Sequence, residues 1–149
     1  MTSRPTTRTC RPDDAQLLVP LFAALSHPTT AERLRDRLAR LAGDPTYAAW
    51  VIEAPDGDAP AELWGFAAGH LLHPVEDDTP AAQLIALVTA EGARGRGVGT
   101  TLCAAFERWA VERGATRVAL NSGTTRAEAH AFYRRRGYTA SGLRFAKTL

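Results

Sequence analysis

At 149 residues, 45% of them hydrophobic, the chain is long enough to bury a core of its own and has the size of one domain, 1–149, with residues 1–7 as a flexible lead-in. Its 18 basic residues against 16 acidic ones leave a formal charge of only +2, which argues against binding nucleic acid by bulk electrostatics. Cys10 and Cys103 show no paired spacing, so neither a disulfide framework nor a zinc site is indicated; the polar start and the lack of any run near ~18 apolar residues speak against export and membrane insertion and favour a cytoplasmic protein.

Residues 8–11 read as a first strand, and Pro12-Asp13-Asp14 turns into a helix with Leu17, Leu18, Leu21, Phe22 and Leu25 at helical spacing, with Pro20 a candidate kink. Thr29-Thr30-Ala31-Glu32 fits a capping box with Thr29 as the cap, opening a second helix whose Leu34, Leu38 and Leu41 face inward. Tyr47 to Glu53 and Leu63 to Leu72 read as a hairpin across the turn Pro55-Asp56-Gly57-Asp58. A loop with Glu76-Asp77-Asp78 leads to a core strand from Ala82 to Thr89. After a glycine-rich turn comes a helix with Val98, Leu102, Phe106 and Trp109 on one stripe, ending at Arg113-Gly114. Arg117 to Asn121 is a further strand. Thr125-Arg126-Ala127-Glu128 is a second capping box, opening a helix through Arg136 that Gly137 ends, and Tyr138 to Thr148 supplies one or two closing strands separated at Ser141-Gly142.

The most informative stretch runs from Leu84 through Thr100. It joins an apolar strand to a turn with glycines at 95, 97 and 99 that opens a helix, so backbone N–H groups can face an anion beside Arg94 and Arg96. Lys147 is the only lysine, so the nucleotide-hydrolase loop, which needs Gly-Lys-Ser/Thr after four residues, is ruled out. The dinucleotide fingerprint fits poorly, since the spacing is Gly-x-Gly-x-Gly and several elements precede it. The plainer alternative is a tight strand-to-helix connection without a ligand.

A second motif weighs against that alternative. Arg94-Gly95-Arg96-Gly97-Val98-Gly99, together with Ala129, His130, Phe132, Tyr133, Gly137 and Tyr138 downstream, resembles the GNAT superfamily of acetyl-CoA-dependent N-acetyltransferases. The first matches the family's pyrophosphate motif Arg/Gln-x-x-Gly-x-Gly/Ala and the second its Ala-His-x-Phe-Tyr-x-x-x-Gly-Tyr/Phe signature. The resemblance is close over about residues 82–149 and loose at Arg11-Pro12-Asp13-Asp14. It implies an α/β (α+β) fold: a mixed, mostly antiparallel central sheet of six or seven strands, flanked by about four helices, with splayed central strands.

It also implies acetyl-CoA as co-substrate, no metal, and an amine acceptor. The pyrophosphate would be held around Arg94, Gly95, Arg96, Gly97, Val98, Gly99 and Thr100, and the pantetheine arm along Leu87, Val88 and Thr89, with Asn121 and Arg126 as further contacts. Arg126 stands where many relatives carry asparagine. The reaction implied is direct attack of a neutral amine in a ternary complex, with Tyr133 as general acid toward the departing thiolate. Many relatives place a carboxylate on the strand before the motif; here those positions hold Gln83 and Ile85, leaving Glu53, Glu76, His70 or a water relay as the base. His130 reads as structural and Cys103 as a small core residue. The missing base keeps a rival open, a non-catalytic coenzyme-A-binding sensor or structural module. A homodimer through the closing strands is an assembly this layout allows, and neither nucleic acid nor membrane is expected as a partner.

Overall fold

The computed structural model describes residues 4–55, 61–124 and 126–149. Among them β1 (Arg8–Thr9), β2 (Tyr47–Glu53), β3 (Leu63–Leu72), β4 (Ala81–Thr89) and β5 (Arg117–Leu120) form one sheet in that order. The pairs β1–β2, β2–β3 and β3–β4 are antiparallel, and β5 is parallel to β4. Helices α1 (Ala15–Ala24) and α2 (Ala31–Ala42) cover one face; α3 (Val98–Glu112) and α4 (Ala127–Arg135) lie on the other.

Alternation along the strands explains the two layers. Val51, Phe66 and Ala68 meet Leu18, Leu21, Leu34 and Leu38 on one side, while Ile52, Ala67 and Leu84 meet Leu102, Cys103 and Phe106 on the other. The α3 side closes tightly because β3 carries glycine where the helix crosses. A methyl group at Gly65 would stand 2.5 Å from Val98 Cγ1 and 2.8 Å from Leu102 Cδ1, and one at Gly69 would stand 2.8 Å from Phe106 Cδ1. The start of α3 is thereby set against the sheet.

Asp14 is a buried carboxylate, 5% exposed, that ties the chain's start together. Arg8 grips it through Nη1 at 2.9 Å and Nη2 at 2.8 Å, and the Arg11 amide donates to it at 2.7 Å. Burial pushes this carboxyl up, but the Arg8 hydrogen bonds and the Arg11 amide outweigh it and hold it below its ordinary value.

Several expectations are corrected. The sheet has five strands, not six or seven, because the closing strands expected from Tyr138 to Thr148 do not form. Ser141-Gly142 breaks that stretch, β5 offers an edge of only four residues, and Leu143 and Phe145 remain 85% and 88% exposed. The parallel pair β4–β5 therefore lies at the sheet edge rather than at its centre. The cap of α2 is Thr30, not Thr29: Thr30 has the extended backbone of a cap and its Oγ1 accepts the Arg33 amide at 3.2 Å, placing Arg33 rather than Glu32 at the reciprocal position. α1 is preceded by a 3-10 turn over Pro12–Asp14 and continues through Pro20. The hairpin turn at 56–58 and the cap at Thr125 lie outside the described residues, as do residues 1–3 of the expected lead-in.

Candidate functional site

The site begins with a bulge. Leu84 pairs with Gly69 and Ala86 with Ala68, so Ile85 has no partner on β3. Pairing with β5 stops at the same place, running only from Ala81↔Arg117 to Leu84↔Leu120. Beyond Leu84 β5 has ended, and the backbone groups of Ile85–Thr89 facing that side have no strand to pair with among the described residues. The extra residue in β4 and the end of β5 fall at the same level of the sheet. Leu87, Val88 and Thr89 lie on this unpaired half, and Asn121 and Ser122 follow the end of β5.

Thr89 leads through a short turn, Glu91–Ala93, into the glycines. Gly95 and Gly97 are left-handed, with φ of 78° and 80°, conformations that cost a side-chain-bearing residue about 1–2 kcal/mol. Gly97 is also the residue that caps α3, and it has no side chain to occupy the helix's first donors. The Thr101 amide donates to the Gly97 carbonyl at 3.0 Å, so the amides of Val98, Gly99 and Thr100 precede the first intrahelical bond. Unclaimed donors at the positive end of a 15-residue helix suit an anion such as a pyrophosphate. Arg94 is exposed beside them. Arg96 is placed differently from expectation: its guanidinium lies 5.0 Å above the Trp64 ring, while the Trp64 indole donates to Glu62 at 3.2 Å. The sequence reading missed Trp64, and its only signal was an aromatic at the start of the strand that pairs with β4.

The downstream signature is brought to the same place. A methyl at Gly99 would lie 3.5 Å from Phe132 Cζ on α4 and 3.7 Å from Thr89 Oγ1 on β4, so all three elements converge at the start of α3. Tyr133, the next residue, is half-buried, its ring edge-on to Phe132 at 5.4 Å and to Tyr138 at 5.9 Å. Burial raises the Tyr133 phenol above its ordinary value, with Cys103 adding to the rise and Arg126 opposing it. It therefore carries its proton at neutral pH. His130 Nε2 lies 2.7 Å from the Gly123 carbonyl and fastens the loop after β5 to α4, as its structural reading requires. Arg126 precedes α4, its aliphatic stem against Gly123. Cys103 is fully buried, with its thiol pushed up to about 11 by burial, an inert core group.

The candidate bases lie in three different places. His70 is stacked on Tyr47 at 4.1 Å and pairs with Gln83 near the start of β4, with Glu76 in the loop before that strand. His70 thus stands beside the bulge at Ile85, while the glycine turn lies at the other end of β4, about 26 Å long at ~3.3 Å per residue. Glu53 is ion-paired to Arg8 at 2.8 Å. A cavity of about 430 Å³ lies elsewhere, lined by Arg8, Trp50, Arg108, Trp109 and Glu112 towards the far end of α3. Among the described residues no group of His, Cys, Asp and Glu could hold a metal ion, and no helix is long and apolar enough to cross a membrane.

Residues 16–138 match the model of the acetyltransferase (GNAT) family. The chain belongs to the GNAT family. Solved structures agree on the fold of this GNAT protein. A GNAT family acetyltransferase of Staphylococcus aureus has 21% identity and a TM-score of 0.81, covering 99% of this chain and 100% of its own. The aminoglycoside N-acetyltransferase AAC(6')-Iy, solved with CoA, has 18% identity and a TM-score of 0.81, covering 99% and 97%. A protein of Bacillus halodurans described as a transcriptional regulator has 19% identity and a TM-score of 0.85, covering 98% and 100%. No match was found among curated proteins.

Proposed function

We propose that this GNAT protein is a single-domain N-acetyltransferase that moves an acetyl group from acetyl-CoA to a primary amine of a small molecule or protein. The observation that carries the reading is the continuity of one half-strand and one turn. The unpaired Ile85–Thr89 edge of β4 runs directly into free amides at Val98–Thr100, with Tyr133's helix packed against Gly99. Acetyl-CoA, when bound, supplies the activated acetyl group and leaves as the thiol.

The protein's part is to hold and to protonate. Amides from Gly97 to Thr100 grip the pyrophosphate, with Arg94 and a released Arg96 adding charge. Backbone groups of Leu87, Val88 and Thr89 align the arm, and one N–H there polarises the thioester carbonyl. Asn121 and Arg126 border the same slot. Tyr133 keeps its phenolic proton at neutral pH and delivers it to the thiolate sulfur as the C–S bond breaks, while the surplus proton of the attacking nitrogen passes to water and solvent reprotonates the phenolate.

AAC(6')-Iy and a metagenomic enzyme solved with sisomicin, at 18% and 17% identity, motivate amino sugars as the first acceptors to try. The test is thiol release from acetyl-CoA across amino sugars, aliphatic diamines and lysine peptides. Turnover with at least one amine supports the reading. The rival, a coenzyme-A-binding sensor, is favoured by one observation: β4 carries no carboxylate and Glu53 is ion-paired to Arg8. It predicts CoA binding with no thiol release from any amine.

A further inference from the structure

Glu107 has no part in the motifs, yet it joins them. Positions 99, 103 and 107 of α3, four apart, form one face of that helix. Gly99 meets Phe132, Cys103 lies near enough to Tyr133 to raise its phenol, and Glu107 takes the end of α4. Its Oε1 accepts from Arg136 Nη2 at 2.8 Å and its Oε2 from the Tyr138 hydroxyl at 3.0 Å. These two residues also hold Tyr133 through the backbone, since the amides of Arg136 and Tyr138 both donate to the Tyr133 carbonyl at 3.0 Å. Gly137, left-handed at φ 91°, makes that turn.

α4 needs such a fastening. It is nine residues long and none of its side chains is fully buried, so apolar packing alone fixes it weakly against α3. The half-buried Glu107–Arg136 pair, with side chains 31% and 20% exposed, is a charge-assisted contact at the point where α4 ends. We infer that Glu107 is a positioning residue for the transfer reaction: through Arg136 and Tyr138 it fixes Tyr133 relative to the phosphate-binding start of the helix that carries Glu107 itself. Donor grip and proton donor are thus held by one rigid element, α3. A displacement of Tyr133 by an ångström would cost rate without weakening the grip, because the amides at Val98–Thr100 are at the other end of α3.

The inference rests on Tyr133 being the general acid, and a double-mutant cycle separates the two. The assay is thiol release from acetyl-CoA with the amine of the panel that turns over fastest. Glu107→Ala is expected to lower kcat about 10-fold while the KM for acetyl-CoA stays within about 2-fold. Tyr138→Phe, which removes one hydroxyl and keeps the ring, gives a smaller fall of the same kind and serves if Glu107→Ala does not fold. In a Tyr133→Phe background neither change is expected to cost more, since the residue it positions has lost its proton. A Tyr133→Phe enzyme with full activity, or no thiol release from any amine, overturns the general-acid reading and this inference together. A slowed Tyr133→Phe enzyme in which Glu107→Ala costs its full factor again, or acts on KM instead of kcat, overturns the inference alone.

Discussion

Single residues carry the sharpest expectations. Gly97 is left-handed and faces open space, so Gly97→Ala introduces backbone strain of about 1–2 kcal/mol with no collision. The chain relieves that strain by distorting the cap of α3, and calorimetry is expected to show CoA affinity falling by about 10-fold or more. Tyr133→Phe keeps the ring in its aromatic cluster and is expected to lower kcat by about 100-fold with little change in melting temperature. Asp14 is a test of a different kind. Its folded value is depressed, so its contribution is present above the ordinary carboxylate value and is lost as pH falls through the lowered folded one. Urea unfolding is expected to show stability dropping below about pH 4, with that drop smaller in Asp14→Asn. The Arg8 arm of this arrangement was not legible beforehand, because Arg8 sits on β1 and no spacing rule joins it to Asp14, whereas the Arg11 amide and Asp14 stand at the cap-to-third-residue spacing of one turn.

At the scale of elements, the crossing of α3 over β3 is the most constrained contact. Gly65→Ala would drive a methyl into Val98 Cγ1 at 2.5 Å with the Val88 carbonyl 3.3 Å away, so α3 must retreat from the sheet. The expected loss is about 1–3 kcal/mol by urea unfolding, together with weaker CoA binding, since the retreating end is the one bearing the donors. This element pair also marks what sequence could give. The stripe Val98, Leu102, Phe106 and the strand limits of β2 and β3 were readable because periodicity records burial. The α3 face at 99, 103 and 107 was not, because a glycine, a cysteine and a glutamate share no hydropathy. The bulge at Ile85 was also hidden, since pairing with β3 decides it and Leu84-Ile85-Ala86 reads as plain strand. The closing strands expected over Tyr138 to Thr148 failed for the opposite reason: the stretch is broken at Ser141-Gly142, and a four-residue edge gives it little to pair with.

For the molecule as a whole, the two motifs identified the family because they record ligand chemistry, and the structure brings them to one end of the sheet. The acceptor stayed illegible, since the first helices and the hairpin carry patterns that describe packing. Both thiols are buried, with Cys10 pushed up to about 12 and Cys103 to about 11. Raised folded values mean that stability is complete below the ordinary thiol value and is lost as pH rises towards these, so the melting temperature is expected to fall from about pH 9 upward. The central claim concerns the donor grip, and titration calorimetry with CoA, pantetheine and Gly97→Ala tests it most directly. Saturable binding of CoA is expected, with pantetheine, which lacks the pyrophosphate, binding at least about 100-fold more weakly, and with much of that difference lost in Gly97→Ala. Equal affinity for CoA and pantetheine, or a Gly97→Ala protein that binds CoA as tightly as the unaltered chain, would contradict it.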